Sequence, residues 1–255
     1  MLLAIDVGNT NTVLGVFQGE RLLADWRVRT ERECTRDELG VLFSNLFAAS
    51  PVAMGSIEGV IISCVVPPLK TTFDEFCRRY FGQEPLFVGP GTKTGMPILY
   101  DNPREVGADR IVNAVGGYDR FPTDLIVVDF GTATTFDCIS AAGEYLGGAI
   151  APGIMISCEA LFQRASKLPR VEIFSRPKSV VAKDTISSMN AGIIFGYAGL
   201  VDGLVQAINN ERGVQCKVLA TGGLAPVIAE HTNSIHHVDE LLTLRGLRII
   251  YQRNQ

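Results

Sequence analysis

The chain lacks several features that would place it in a common class of protein. No two of its six cysteines are close enough in sequence to encode a zinc cluster or a redox dithiol, so we expect small buried thiols. It contains no Gly-x-x-x-x-Gly-Lys-Ser/Thr phosphate loop. Its three histidines lie in one polar segment without spaced carboxylates, which predicts a solvated loop rather than a metal site. These absences argue against zinc, dithiol and P-loop chemistry.

Charge and hydropathy argue against two further classes. The 23 basic and 27 acidic residues give a net charge of −4, and the longest basic run is Arg78-Arg79. A protein that binds the nucleic-acid backbone needs a larger basic surface. No uninterrupted apolar run approaches the roughly 18 residues of a membrane span. The opening Met-Leu-Leu-Ala-Ile lacks the basic start of a secretory signal. We therefore expect a cytoplasmic protein with no membrane and no nucleic-acid partner.

The composition is that of a globular protein. A chain of 255 residues forms one large domain or two of ordinary size, and 47% of its residues are apolar. Its hydrophobic periods predict a mixed α/β fold with a long loop over residues 89–107 and a glycine-rich turn over 143–153. Predicted strands cover residues 2–5, 12–17, 21–28 and 59–66, and another leads into Gly222-Gly223; predicted helices follow Thr35 and Pro67-Pro68 and cover residues 110–118, 154–165, 185–208 and 238–247.

One stretch of the sequence occurs twice. The first copy is a strand, Asp6-Val-Gly, small polar residues and a second strand, and the other copy is centred on Asp129-Phe-Gly. The offset is 123 residues (129 − 6), and the agreement extends over some fourteen positions. Two such hairpins half a chain apart indicate two homologous halves.

The repeated turn has the composition of a phosphate-binding loop. Gly8 and the small side chains after it allow backbone N–H groups to approach an anion closely. Because an acid such as Asp6 repels phosphate, a nearby divalent cation, Mg²⁺, is implied. The same argument applies to Asp129, with hydroxyls from Thr132, Thr134 and Thr135. The alternative for either copy is an aspartate that only hydrogen-bonds its own turn. Two matched copies favour the phosphate interpretation.

A phosphoryl acceptor needs a third element, and the best candidate lies between Tyr100 and Arg110. Gly107 permits close approach of a ligand. Asp109 is able to accept a proton from an acceptor hydroxyl, and Arg110 to bind an acceptor carboxylate. The alternative is a surface ion pair at a helix start. The residues alone therefore predict an Mg-ATP phosphotransferase that acts on a small hydroxy acid.

Together these motifs and Ala220-Thr-Gly-Gly223 closely resemble the type III pantothenate kinases of bacteria. The family belongs to the superfamily of acetate and sugar kinases, Hsp70 and actin. The resemblance implies two duplicated ribonuclease-H-like domains, residues 1–117 and 118–255, with an active-site cleft between them. It also implies phosphorylation of pantothenate by ATP to 4'-phosphopantothenate, the first step of coenzyme A biosynthesis, in a homodimer.

The resemblance assigns roles to individual residues. Asp109 is the implied catalytic base, Asp129 helps to hold a monovalent cation, K⁺ or NH₄⁺, and Thr132 is a second nucleotide contact. The first nucleotide motif is Asp6, Val7, Gly8, Asn9, Thr10, Asn11, Thr12 and Val13. The implied pantothenate pocket is Tyr100, Gly107, Ala108, Asp109, Arg110 and Thr185, with Asp184 departing from the family pattern.

Two alternatives stay open at this point. One is a non-catalytic accessory factor in gene regulation that shares the fold. The presence of four charged candidate residues argues against it, because a binding protein has no need of all of them. The other is a kinase of a different small hydroxy acid, or an enzyme of the superfamily that forms an acyl phosphate. A screen of acceptors distinguishes it.

Overall fold

The computed structural model describes residues 1–165, 167–170 and 177–255. Its strands are β1 (Leu2–Val7), β2 (Asn11–Gln18), β3 (Arg21–Arg29), β4 (Gly59–Cys64), β5 (Leu86–Phe87), β6 (Leu125–Phe130), β7 (Ala133–Ile139), β8 (Tyr145–Pro152), β9 (Lys217–Thr221) and β10 (His237–Val238). Its α-helices are α1 (Arg36–Ala48), α2 (Pro67–Tyr80), α3 (Ala108–Arg120), α4 (Ile154–Arg164), α5 (Thr185–Arg212), α6 (Ala225–Ala229) and α7 (Leu242–Arg253).

The strands form two five-stranded sheets with the same topology. The first has the order β3-β2-β1-β4-β5, and the second has the equivalent order β8-β7-β6-β9-β10. In each sheet an antiparallel three-stranded meander is followed by two parallel strands. The predicted α/β fold with two duplicated ribonuclease-H-like domains is thereby confirmed.

The chain divides into two compact units. Unit 1 comprises Met1–Gly116 and Leu241–Gln255, and unit 2 comprises Gly117–Glu240. The sequence predicts a boundary after residue 117 with everything beyond it in the second domain. The structure differs at the C-terminal end, because α7 packs on β1, β2 and β4 of unit 1.

Local sequence signals explain the elements of unit 1. The predicted capping box is present at α1: Glu38 N donates to Thr35 Oγ1 at 3.3 Å, and Thr35 N donates to Glu38 Oε2 at 2.7 Å. Pro67 and Pro68 stand at the first helical positions of α2, where no backbone donor is lost. Phe43 and Phe76, with ring centroids 4.6 Å apart, pack in the core over β1 and β4. This core fixes the strands that carry the first turn.

Two predicted elements of the C-terminal half of the chain are wrong. Residues 143–153 do not form a glycine-rich turn but contain β8, whose Gly148 has no room for a side chain because Phe136 O occupies that space. The predicted closing helix at 238–247 begins at Leu242, and His237–Val238 instead pairs with β9. The glycines of this segment suggested a turn, but Gly148 is needed because two strands approach closely there.

Helix α5 is apolar over much of its length. It is long and apolar enough to cross a membrane by length and composition alone, and 33% of its most apolar stretch is buried inside the protein. A core helix of a globular protein meets the same test, so the helix is weak evidence for a membrane. The predicted absence of a membrane partner stays a prediction.

Candidate active site

The first Asp-x-Gly turn joins β1 to β2. Gly8 N donates to Asn11 O at 3.1 Å, and a Cβ on Gly8 would lie 3.0 Å from the same oxygen. Asp6 is half-buried near the end of β1, opposite Val13 of β2 and Ser63 of β4. The sequence thus correctly places a tight turn of small residues directly after an acidic strand end.

Two threonine hydroxyl groups form a hydrogen-bonded chain to the backbone of this turn. Thr30 Oγ1 donates to Gly8 O at 2.7 Å and lies 2.9 Å from Thr12 Oγ1. A hydroxyl has one hydrogen, so Thr12 is the donor in its bond with Thr30. Thr30 N also donates to Thr10 O at 3.0 Å. The Thr12 hydroxyl therefore braces the turn through Thr30. The sequence analysis missed Thr30, which follows β3.

An arginine that the sequence analysis also missed lies beside the turn. Arg32 Nη2 donates to Asn9 Oδ1 at 2.9 Å, and both side chains are exposed. The bond places a guanidinium next to the proposed phosphate loop, where it adds positive charge. Its only sequence signal was its position soon after the end of a strand that pairs with β2.

The predicted acid and guanidinium lie in the first turn of α3. Asp109 Oδ1 accepts a hydrogen bond from Arg110 N at 2.8 Å, and a Cβ on Gly107 would lie 2.5 Å from that carboxylate oxygen. Gly107 is thus required by the position of the Asp109 carboxylate. Arg110 is only 8% exposed, so the alternative of a surface ion pair is wrong. Tyr100 is half-buried ahead of the short 3₁₀ turn Pro103–Glu105.

Burial sets the proton affinity of this acid. Desolvation raises the pKa of Asp109 above its ordinary value, and this effect outweighs the backbone N–H and the charge of Arg110, which lower it. A carboxylate with a raised pKa is a stronger base than an exposed one. This is the behaviour expected of a group that takes a proton from an alcohol.

In unit 2 the second turn, Gly131-Thr132, joins β6 to β7 with Gly131 N donating to Ala133 O at 3.1 Å. Asp129 lies opposite Thr135 of β7 and Thr221 of β9. Gly222, at a φ of +93°, packs onto this acid: a Cβ there would lie 2.7 Å from Asp129 Oδ1 and 2.6 Å from Phe130 O. The sequence indicated only a generic glycine turn there. The structure makes it one wall of the Asp129 site.

A second glycine, missed in the sequence analysis, closes the other side of the turn. A Cβ on Gly153, just before α4, would overlap Thr132 O and lie 2.6 Å from Gly131 O. The Gly131 and Thr132 carbonyls therefore lie against Gly153, and the Asp129 carboxylate lies against Gly222. Hard cations prefer such ligands.

Asp137 of β7 is a further acid that the sequence analysis did not single out. It is fully buried, accepts from Tyr145 Oη at 2.7 Å and accepts from Thr135 Oγ1 at 3.1 Å. Its sequence signal was an aspartate within an apolar strand. The hydrogen of the Thr135 hydroxyl is thereby committed to Asp137. The Thr135 hydroxyl can therefore only accept a further hydrogen bond. The prediction that it donates a hydrogen bond to phosphate is wrong.

The predicted pantothenate contact Thr185 lies at the start of a helix in unit 2. Thr185 is the exposed first residue of α5, and Asp184 caps that helix by accepting from Ser187 N at 2.9 Å. The departure at Asp184 from the family pattern thus has a structural role. The predicted convergence of both turns on one cleft concerns the arrangement of the two units and stays a prediction.

The histidines have structural contacts. His236 Nδ1 accepts from Val218 N at 3.0 Å, and the His237 ring stacks on Phe121 with centroids 4.6 Å apart. Within residues 1–165, 167–170 and 177–255, no group of three or more histidine, cysteine, aspartate or glutamate side chains is arranged to hold a metal ion. Any cation at the two turns would need oxygens from the backbone or from ligands as well.

Comparisons with known proteins place this geometry in a family. Residues 2–207 match the family model described as type III pantothenate kinase. A type III pantothenate kinase of Syntrophobacter fumaroxidans is 62% identical over 255 residues, covering 100% of this chain and 99% of the relative. Its counterpart from Myxococcus xanthus is 59% identical over 254 residues, covering 100% and 99%.

Solved structures support the fold. A Campylobacter jejuni protein assigned to the Baf family of transcriptional activators superposes with a TM-score of 0.60 at 19% identity, covering 99% of this chain and 98% of the other. The ROK hexokinase of Thermus thermophilus superposes with a TM-score of 0.52 at 13% identity, covering 100% and 99%. At such identities the similarity concerns the fold alone.

Proposed function

This chain belongs to the type III pantothenate kinase family and phosphorylates pantothenate in coenzyme A biosynthesis, and we propose that Asp109 is the base of this reaction. The observation that carries the proposal is the half-buried Asp109 carboxylate, fitted against Gly107 and raised in pKa by desolvation, next to buried Arg110. The hydroxyl oxygen of pantothenate forms a bond to the γ-phosphorus of ATP, the bond to the bridging oxygen of ADP breaks, and the hydroxyl proton passes to Asp109.

We propose that the first turn binds the phosphates of ATP. Gly8 N is bonded to Asn11 O, so the proposed phosphate contacts are the exposed tip of the turn at Asn9 and Thr10 and the Arg32 guanidinium beside it. Asp6, half-buried at the strand end, would help to hold a Mg²⁺ ion through its carboxylate. Such an ion neutralises phosphate charge. The remaining members of the proposed nucleotide set are Val7, Asn11, Thr12, Val13 and Thr132.

We propose that the turn of unit 2 holds the monovalent cation. Asp129 is enclosed by Gly222, in a space that a Cβ would fill, and the Gly131 and Thr132 carbonyls lie at the same turn. These oxygens fit K⁺ or NH₄⁺ better than a phosphate group, which carries the same charge sign as Asp129. The bound cation supplies positive charge that balances the triphosphate.

We propose that the acceptor pocket recognises the two ends of pantothenate separately. Arg110 binds its carboxylate, and Asp109 faces its primary hydroxyl. The rest of the proposed pocket is Tyr100, Gly107, Ala108 and Thr185.

We propose that the chain forms a homodimer through unit 2. Large apolar side chains that are more than a third exposed lie on and beside α4 and at the start of α5, which is unusual for a monomer surface. They are Ile150, Met155, Ile156, Leu161, Phe162 and Ile186. Phe162→Glu is expected to give a monomer by light scattering, whereas Val41→Glu, at an exposed apolar site of α1, leaves the dimer intact. A monomeric wild type would contradict the proposal.

A coupled ADP-release assay tests the proposed roles. Purified protein with ATP, Mg²⁺ and K⁺ is expected to release ADP with pantothenate but not with acetate, glycerol or a hexose. Asp109→Asn is expected to lower kcat about 10²-fold or more, while Asp101→Asn, at an exposed site before the same helix, serves as the matched control. Near-normal turnover of a folded Asp109→Asn variant would remove Asp109 from the base role.

The monovalent cation is tested by its salt dependence. Activity is expected in K⁺ or NH₄⁺ and to be poor in Na⁺ alone, and Asp129→Asn is expected to weaken the response to K⁺. Equal rates of the wild type in all three salts would contradict the proposed cation site.

The similarity to the Campylobacter jejuni protein, at 19% identity, does not favour the gene-regulation alternative.

A further inference from the structure

Helix α7 contacts both parts of unit 1 that carry proposed chemistry. One of its faces contacts α3, which bears Asp109 and Arg110, and the opposite face contacts the sheet that bears the first turn. We infer that α7 sets the distance between the phosphate turn and Asp109, and that Thr243 and Gly246 are positioning residues for the transfer. The inference rests on the proposed role of Asp109.

The contact with α3 is made by backbone and small side chains. A Cβ on Gly246 of α7 would overlap Val112 O, and a Cβ on Gly116 of α3 would lie 2.9 Å from Leu242 O. Each helix therefore has a glycine where the other helix comes closest. Because backbone meets backbone, α3 cannot move toward α7 without a clash, and any larger residue must push it away.

A buried hydrogen bond fixes the same crossing along the helix axis. Thr243 Oγ1 donates to Asn113 Oδ1 at 2.7 Å, and Asn113 is 1% exposed. Asn113 stands four residues after Asp109 and three before Gly116, so all three share one face of α3. Asp109 thus lies one helical turn from the clamp, by which we mean the Thr243–Asn113 hydrogen bond and the close approach of Gly246 to Gly116. A shift of α3 at Asn113 moves the carboxylate with it.

The other face of α7 is fixed on the sheet. A Cβ on Gly15 of β2 would lie 2.8 Å from Leu244 Cδ1, and the Tyr251 ring takes the space over Gly59 of β4. Leu244 and Tyr251 are seven residues apart, two helical turns, and lie opposite the face of Gly246. The strands β1 and β2 that receive this face also bear Asp6 and Thr12.

This arrangement makes α7 a rigid spacer between donor and acceptor chemistry. In-line phosphoryl transfer depends on the distance from the γ-phosphate to the acceptor hydroxyl, and a misplacement of about 1 Å can cost about 10²-fold in rate. A change in the clamp is expected to lower kcat and to leave ATP binding by the first turn unaltered. Replacing a residue that only stabilises the fold would not lower kcat selectively while leaving ATP binding unchanged.

The test compares Thr243→Val with Thr243→Ser. Valine keeps the shape but removes the donor, so we expect kcat to fall about 10-fold with the Kd for ATP, from calorimetry, within about twofold of wild type. Serine keeps the hydroxyl and is expected to restore kcat to within about twofold. Thr71→Val, at an exposed site of α2, is the matched control. Wild-type kcat in Thr243→Val, or equal losses of kcat and ATP affinity, would overturn the inference.

A double-mutant cycle separates this inference from the role of Asp109. If Thr243 acts through Asp109, Thr243→Val is expected to have little further effect on kcat in an Asp109→Asn background. Full additivity would overturn the inference while leaving Asp109 as the base. Normal kcat in Asp109→Asn alone would overturn the proposed base instead. Gly246→Ala is expected to lower kcat more than Thr243→Val does; if it fails to fold, the Thr243 variants decide.

Discussion

Thr30 and Gly153 occupy the same place in the two halves of the molecule. Each follows the third strand of its sheet, each lies against the Asp-x-Gly turn of its own half, and they differ by the same 123 positions as Asp6 and Asp129. Thr30 holds its turn with a hydroxyl bonded to Gly8 O at 2.7 Å. Gly153 holds its turn by having no side chain, since Thr132 O occupies that space.

The difference shows how one duplicated fold can make two kinds of site. In unit 1 the Thr30 hydroxyl satisfies the Gly8 carbonyl and the Arg32 guanidinium lies beside the turn, which suits the proposed anion site. In unit 2 the Gly131 and Thr132 carbonyls pack against Gly153 and the Asp129 carboxylate against Gly222, and oxygen ligands of these kinds suit the proposed cation. The divergence therefore depends on a few residues around a shared turn, and each of them can be tested.

The largest expected effect is at Gly153. Its φ of −72° allows any residue, so only the lack of space excludes a side chain. Gly153→Ala is expected to displace the Thr132 turn, lowering kcat about 10²-fold and the free energy of unfolding by about 1–3 kcal/mol. Steady-state kinetics and urea unfolding measure both. Gly192→Ala, in an open position of α5, is the control and is expected to be neutral or slightly stabilising. A fully active Gly153→Ala would break the comparison.

The hydroxyl brace of unit 1 is expected to give a smaller effect. Thr30→Val keeps the side-chain shape but leaves the half-buried Gly8 carbonyl without its Thr30 donor. We expect a loss of about 1–3 kcal/mol in the free energy of unfolding and a higher KM for ATP with little change in KM for pantothenate. Urea unfolding and initial rates at varied ATP measure these. An unchanged KM for ATP would show that the brace does not shape the nucleotide site.

A third prediction concerns the acid of unit 1. Because burial raises the pKa of Asp109, activity that needs its unprotonated form falls on the acid side at a pH above the ordinary aspartate value. The charge of Arg110 lowers this pKa, so Arg110→Met is expected to move the acid limb of kcat/KM to higher pH, and Arg110→Lys to move it less. A limb that stays in place in Arg110→Met would mean that another group controls it.

The same shift predicts a stability effect with the opposite sign to the usual one. A carboxyl whose pKa is higher in the folded than in the unfolded protein contributes stability that is lost as pH rises between the two values. Asp109→Asn is expected to remove this dependence in urea unfolding measured across that pH range.

The smallest effect is expected at Thr134 of unit 2. Its side chain is fully buried, and Thr134 Oγ1 has no hydrogen-bond partner in the part of the chain that the structure describes. Thr134→Val is therefore expected to change the free energy of unfolding by no more than about 0.5 kcal/mol, or to increase it. A loss as large as that of Thr30→Val would show that both halves depend on hydroxyls.

Local patterns in the sequence were sufficient for many features. The capping box at Thr35, the glycine of the Asp6 turn and the adjacent pair Asp109-Arg110 are all signalled by residues within a few positions of one another. The internal repeat indicated two homologous halves, and the two sheets indeed share one topology. Such signals act over short distances, so a single sequence reveals them.

Three of the residues that the sequence analysis missed act over long distances in the chain. Thr30 contacts Gly8, Gly153 contacts Thr132, and Thr243 contacts Asn113 across 130 positions. None has an unusual local context. The placement of α7 in unit 1 is hidden for the same reason, because it depends on contacts with strands near the other end of the chain.

The discontinuity of unit 1 has a consequence for biosynthesis. Gly117–Glu240 is a continuous segment, so this unit can collapse while the ribosome is still translating. Residues 1–116 emerge earlier but are without α7 until Leu241–Gln255 is released. Although translated first, this part of the protein acquires α7 only after unit 2, and premature termination anywhere before residue 241 leaves the sheet without the contacts that α7 makes to β1, β2 and β4.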